Sequence, residues 1–151
     1  MSNLHSVAVL GSTGYIGLEL VKILLKHPNV KINFLGCENS PDESLSSFDS
    51  KIDDSHLPKL ELNSDFDPSK SELVFLALPH GVSHLYVNRF FEKVKIIDLS
   101  ADFRLDSIKS YYKNYQINHS CPEYLDNFIY GLPEINTDLI KKTNYIAVPG
   151  C

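Results

Sequence analysis

The chain has 151 residues, 43% of them hydrophobic and 22% charged, and a formal net charge of −5. This length fits one domain with a sizeable core. The spread of apolar residues excludes a disordered chain, no apolar run nears the ~20 residues a membrane helix needs, and the acidic balance argues against a nucleic-acid partner. Residues 1–5 lack the basic and then apolar pattern of a secretory leader. Three widely spaced cysteines make no disulfide framework, so a cytoplasmic, reducing setting is expected. Residues 38–72 hold ten acids and three lysines, so the remainder of the chain is net positive. The acidic stretch reads as a solvated excursion.

In chain order, residues 4–10 read as a short buried strand that runs into a glycine-rich turn. A helix follows, with Ile16, Leu20, Ile23 and Leu24 at helical spacing, and it stops at His27-Pro28. Residues 31–36 form a second strand. The nearly all-apolar stretch 73–78 forms a third, covered on both faces. After Pro79 a helix is expected over 80–91, with Val82, Leu85, Tyr86 and Phe90 on one side, and then a strand over 95–99. Segment 101–130 is polar and aromatic with weak periodicity; a short helix over 136–142 and a strand over 145–148 close the chain. Strands alternating with helices predict an α/β fold, a doubly wound, mostly parallel sheet of Rossmann-like type. The chain stops at Pro149-Gly150-Cys151 directly after a strand, which reads as the front part of a longer polypeptide.

Gly11, Gly14 and Gly17 place three of the seven glycines in one strand-to-helix turn. In such a turn the first glycine permits the tight bend, the second lets backbone approach a pyrophosphate, and the third lets the helix pack close to the strand. The helix N-terminus adds free N–H groups and partial positive charge. A dinucleotide-binding loop is the reading of Gly11, Ser12, Thr13, Gly14, Tyr15, Ile16 and Gly17; the bland alternative is a plain tight turn. Glu38 follows the second strand, where an acid holds the ribose hydroxyls of NAD; it equally starts the acidic excursion.

Cys37 and Cys121 lack a basic or glycine-rich setting and read as small packed or semi-exposed residues. Cys151 follows Pro149-Gly150 at a strand end, where doubly wound folds place ligands. A helix starting just beyond it would favour the thiolate, and a thiolate beside a nicotinamide suggests aldehyde-level chemistry through a thioester. His80 and His84, four apart, have no further ligands with which to hold a metal. No metal site is expected; His80 reads as part of a loop by the cofactor and His84 as a surface residue.

Gly-Ser-Thr-Gly-Tyr-Ile-Gly (11–17), Ala-Leu-Pro-His-Gly (77–81), Asp-Leu-Ser-Ala-Asp-Phe-Arg-Leu (98–105), Tyr-Gly-Leu-Pro-Glu-Ile-Asn (130–136) and Pro-Gly-Cys (149–151) occur in this order. Together they resemble the N-acetyl-γ-glutamyl-phosphate reductase family, the arginine-biosynthesis branch of the semialdehyde dehydrogenases. The resemblance covers residues 1–151 as an NAD(P)-binding domain ending at the catalytic cysteine, and less than half of a typical member. The substrate and dimerisation domain, with the family's general-base histidine, would lie beyond. It implies reduction of N-acetyl-γ-glutamyl phosphate by NADPH to the semialdehyde plus phosphate, with Cys151 as nucleophile and a homo-oligomeric enzyme. It implies that Arg104 holds the substrate phosphoryl group, which suits a guanidinium fork; its alternative is an ion pair with Asp102 or Asp106. By the same resemblance Pro79 and Ser100 lie near the nicotinamide and Asn136 near the cofactor or phosphate. Two departures stand out: no arginine follows the second strand, so NADP is carried by the resemblance against Glu38, and Thr137 stands where many relatives have arginine.

Three other readings compete with this one. A short-chain reductase needs Tyr-x-x-x-Lys, and none of the eight tyrosines has a lysine four residues on. A non-catalytic dinucleotide-binding fragment fits the isolated chain, which lacks the base. The aminoadipyl-phosphate reductases of lysine biosynthesis share the motifs, so acyl length stays open.

Overall fold

A computed structural model describes residues 4–150. The chain divides into two compact units, up to Ala77 and from Leu78. The first holds strands β1 (His5–Leu10), β2 (Val30–Cys37), β3 (Leu60–Leu62) and β4 (Leu73–Leu76) and helix α1 (Tyr15–Leu24). The strands are ordered β3-β2-β1-β4 and every pairing is parallel. β1 lies between β2 and β4, so the strand order reverses there. In an open parallel sheet that reversal opens a crevice at the carboxyl ends of the strands, the usual place for a ligand.

Val7 to Leu10 are buried without alternation, as a strand covered on both faces requires. The core cluster takes Val7 and Val9 from β1, Ile32 and Leu35 from β2, and Val21 and Leu24 from α1. The buried face of α1 is Gly17, Val21 and Leu24. This corrects the expected stripe: Ile16 and Ile23 are more than half exposed, and Leu20 is only partly buried. The acidic stretch is largely exposed, yet it anchors itself through buried Leu45, Ile52, Leu60 and Phe66. It contains β3, which the sequence reading lacked because three residues carry too little pattern.

The second unit holds α2 (Ser83–Phe90), β5 (Lys95–Asp98), α3 (Ile108–Tyr115), β6 (Ile129–Tyr130), α4 (Pro133–Ile140) and β7 (Tyr145–Ala147). β7 pairs in parallel with both β5 and β6. Its interior is aromatic: Phe103 stacks on Phe128 at 4.0 Å, and Phe91 on Tyr124 at 3.8 Å and Tyr145 at 4.5 Å. α2 starts three residues later than expected. Gly81 is left-handed (φ 79°), and both Gly81 N–H and His84 N–H donate to Asp102 rather than to a helical turn. Its buried residues are Ser83, His84, Val87 and Phe90, while Leu85 is exposed. α3 was missed because only Tyr111 of its eight residues is buried; Ser107 caps it, its Oγ accepting from Ser110 N–H, and left-handed Gln116 ends it. α4 begins three residues early, at Pro133, where proline costs the first turn no hydrogen bond.

Candidate dinucleotide loop and phosphoryl site

In the first unit the glycine turn leaves the carboxyl end of β1. Gly11 is left-handed (φ 73°), which a side chain would resist. Its N–H donates to Asn63 Oδ1 (2.9 Å). Ser12 donates to Gly36 O twice, through its N–H (2.8 Å) and its hydroxyl (2.9 Å), and is fully buried. Gly14 N–H closes the turn on Gly11 O.

The other two glycines serve different ends. A Cβ on Gly17 would lie 2.2 Å from Gly11 O and 2.8 Å from Ser12 Cα, so glycine there is demanded by the chain's own packing. A Cβ on Gly14 would lie 3.4 Å from its nearest neighbour, Gly11 O, in ordinary contact. Gly14 has the extended backbone (φ −74°, ψ 163°) any residue adopts, so the fold does not require glycine at this exposed position. α1 begins beside it with no side-chain cap and no acid in its first turn. These are the features an anion needs: open space, unclaimed N–H groups and no competing carboxylate. Thr13 is half-buried, while Tyr15 and Ile16 are exposed. Glu38 is exposed directly after β2.

In the second unit, the Asp-Leu-Ser-Ala-Asp-Phe-Arg segment leaves β5 as a polar knot. Asp98, fully buried, accepts from Ser100 N–H (3.0 Å) and Ser100 Oγ–H (2.8 Å). Burial pushes its carboxyl up to about 6 against those hydrogen bonds. Ser100 Oγ in turn accepts from Asp102 N–H (3.1 Å), so this buried hydroxyl is engaged within the protein. Asp102 accepts from Gly81 N–H, His84 N–H and the Tyr111 hydroxyl (2.8 Å). It is a buried structural acceptor that makes no ion pair with Arg104. Burial, and then the bond to Asp102, raise the Tyr111 phenol.

Arg104 reaches elsewhere. Its Nε donates to Val148 O (2.7 Å) and its Nη2 to Leu99 O (2.9 Å), across the ends of β7 and β5. Its Nη1 lies 2.7 Å from where a Gly150 Cβ would be. The guanidinium is thus clamped against the residue that precedes Cys151 in sequence, with donors to spare. A cavity of about 500 Å³ opens beside it, walled by Phe103, Leu105, Phe128 and Tyr130 and by the acids Asp106 and Asp126. Cys151 itself lies outside the described residues.

His84 is a correction. It is buried, not on the surface: Nδ1 accepts from Ser120 N–H (3.2 Å) and the ring stacks on His119 at 4.9 Å. Burial lowers both imidazoles. Exposed His80 accepts at Nδ1 from Ala101 N–H (2.9 Å), which leaves its proton on Nε2. No group of three metal-ligating side chains occurs among the described residues. Pro79 is exposed and accepts from Val82 N–H. Asn136, with non-helical φ −120° inside α4, donates to Tyr130 O (2.8 Å). Cys37 and Cys121 are buried, the packed rather than the semi-exposed alternative, and burial raises the Cys121 thiol to about 11. Sequence reasoning missed Asn63 and Tyr111: neither sits in a recognisable motif, Asn63 reaches Gly11 across 52 positions, and Tyr111 reaches Asp102, nine positions back, only through the turn that leads into α3.

Residues 6–143 match the family described as semialdehyde dehydrogenase, NAD binding domain. The N-acetyl-gamma-glutamyl-phosphate reductase of Ehrlichia ruminantium (strain Gardel) is 46% identical over all of this chain and 44% of its own length. That of Campylobacter jejuni subsp. doylei is 42% identical over 96% of this chain and 42% of its own. A Picrophilus torridus protein named putative [LysW]-L-2-aminoadipate/[LysW]-L-glutamate phosphate reductase is 40% identical over 96% of this chain. The chain therefore spans less than half the length of these relatives. Aspartate semialdehyde dehydrogenase II of Vibrio cholerae superposes with a TM-score of 0.72 over 99% of this chain and 42% of its own, at 20% identity. The Candida albicans aspartate semialdehyde dehydrogenase solved with NADP does so at 0.59 over 97% of this chain and 42% of its own, at 16% identity. These likenesses bear out the expected Rossmann-like α/β fold.

Proposed function

This chain belongs to the semialdehyde dehydrogenase family, and on that premise we propose that it is the NAD(P)-binding domain, residues 1–151, of an N-acetyl-γ-glutamyl-phosphate reductase. The reading rests on one observation above the others: Gly14 is open where the fold would accept a side chain, beside an uncapped helix N-terminus. That is space kept for a phosphate. The loop 11–17 holds the pyrophosphate through backbone N–H groups. Glu38, Pro79, Ser100 and Asn136 belong to the same assignment, with Ser100 acting through the backbone it braces.

The cofactor is NADPH, which supplies a hydride when bound. The chain's own residues do the rest. Cys151, as thiolate, attacks the acyl carbon; a C–S bond forms, the C–O bond to phosphate breaks, and phosphate leaves with the electron pair. Arg104 faces the phosphoryl oxygens with the N–H groups left over from Val148 O and Leu99 O, and lowers the cost of the charge gathering on the leaving group. The thioester, once reduced, releases the semialdehyde and regenerates the thiolate. Such an enzyme would be a cytoplasmic homo-oligomer of amino-acid biosynthesis, and the missing general base would come from the remainder of the relatives' length. The glutamyl substrate is preferred to the aminoadipyl one because the reductases of that name reach 46% identity against 40%.

In a protein of the relatives' full length carrying this segment, Cys151→Ser abolishes NADPH-dependent turnover of N-acetyl-γ-glutamyl phosphate and leaves NADPH binding intact. Turnover at the parent rate would remove the thioester. Faster turnover of the aminoadipyl analogue would reassign the substrate.

A further inference from the structure

We infer that Asn63 is a positioning residue for the dinucleotide loop, an inference that rests on the cofactor assignment above. The β1–β2 ladder ends before the glycine turn, so the backbone groups of the turn need partners from elsewhere. Ser12 takes Gly36 O twice. Gly11 N–H takes the side chain of Asn63, 52 positions away and 3% exposed. The Gly11–Asn63 bond is thus, among the described residues, the one side-chain hydrogen bond from outside the loop that holds the left-handed residue on which the turn pivots.

Gly36 is shaped to the same contact. A Cβ there would lie 2.3 Å from Asn63 Oδ1, against 3.2 Å from its next neighbours, Leu10 Cα and Phe34 Cε1. Only glycine at 36 lets the amide reach the loop. The consequence is conformational. Without Asn63 the Gly11 peptide has no acceptor, and a residue with no Cβ rotates freely. The loop then occupies its phosphate-ready shape only part of the time, and apparent affinity falls by that fraction. The chemical step in the bound state is untouched.

The test titrates NADP⁺ and NAD⁺ into this chain and follows thermal unfolding in parallel. Asn63→Ala raises Kd for both by about threefold to tenfold, the worth of one hydrogen bond, at temperatures where the variant is fully folded. Asn63→Asp keeps the acceptor but adds charge near the phosphates. Its affinity therefore recovers to within about threefold of the parent in high salt, whereas that of Asn63→Ala does not. Gly36→Ala displaces the amide and costs affinity alone, and in combination with Asn63→Ala the two losses are less than additive. In a protein of full length, Asn63→Ala raises the KM for NADPH and spares kcat. An unchanged Kd in Asn63→Ala with only a lowered melting temperature would make the residue merely structural and overturn the inference. So would additive losses, or an Asn63→Asp variant as weak as alanine in high salt. Failure of the unaltered chain to bind either dinucleotide would remove the cofactor assignment along with it.

Discussion

Two alanine substitutions, at Gly17 and Gly14, separate a glycine kept for packing from one proposed to be kept for a ligand. By propensity Gly17→Ala, inside α1, should help, since replacing a helical glycine by alanine stabilises by roughly 0.5–1 kcal/mol; Gly14 is the N-cap of α1, where alanine is the poorer residue. At Gly17 the added methyl would meet Gly11 O at 2.2 Å and the backbone of Ser12 at 2.8 and 2.9 Å. Ordinary contact needs about 1 Å more, and neither side can yield cheaply. The carbonyl closes the turn on Gly14 N–H, and Ser12 is tied to Gly36 O. α1 must therefore move off β1, loosening Val21 and Leu24 in the core. Overpacking of this kind costs ~1–3 kcal/mol, which outweighs the gain in propensity, so Gly17→Ala is destabilised by about 1–2 kcal/mol net. Gly14→Ala meets nothing closer than 3.4 Å on a permitted backbone, and it stays within ~0.5 kcal/mol of its parent, the lower unfolded-state entropy offsetting the poorer N-cap. Its methyl instead occupies the proposed phosphate space, and NADPH affinity falls at least tenfold. Urea unfolding of both variants with NADPH titration reads the two effects. A Gly17→Ala protein as stable as its parent would refute the packing argument; a Gly14→Ala protein binding NADPH normally would refute the ligand argument.

Other outcomes follow from the same geometry. Arg104→Lys loses the fork that reaches Val148 O and Leu99 O together, so it costs ~1–3 kcal/mol of stability and weakens the acyl phosphate far more than NADPH; equal losses in steady-state KM would oppose the assigned role. Glu38→Ser removes a carboxylate from the end of β2 and improves NADPH relative to NADH by on the order of fivefold to tenfold, the worth of one like-charge contact in water; an unchanged ratio of Kd values places the 2′-phosphate elsewhere. Asp98 titrates near 6 in the folded state against 3.8 ordinarily. Between those values the folded state holds a proton that the unfolded chain has lost, so this group's contribution falls as pH rises and is gone above about pH 6. Relative to Asp98→Asn, the parent protein gains up to ~3 kcal/mol between pH 7 and pH 4, read by urea unfolding at each pH; a pH-independent difference would mean that Asp98 is not buried as described. His84 and His119 act oppositely: burial lowers both, so the folded state resists their protonation and loses stability as pH falls below their ordinary 6.5.

Local patterning in the sequence determined the α/β class, the central strands, the glycine turn and the cysteines' buried or terminal character. A continuous apolar run such as Val7 to Leu10 can satisfy itself only inside a covered parallel sheet, and three glycines at that spacing have few uses other than a bend, an opening and a close approach. Tertiary structure alone decided which of these glycines the packing demands. The difference between Gly14 and Gly17 is a matter of distance to Gly11 O, 3.4 against 2.2 Å, and no local pattern encodes it. The same holds for Asn63 on Gly11, for Asp102 delaying the start of α2, and for Arg104 clamped by strand-end carbonyls instead of a neighbouring acid. Each depends on backbone groups that the sheet leaves unpaired. A buried polar group takes whichever partner the fold brings within reach, so its identity is settled only once the strands are in register.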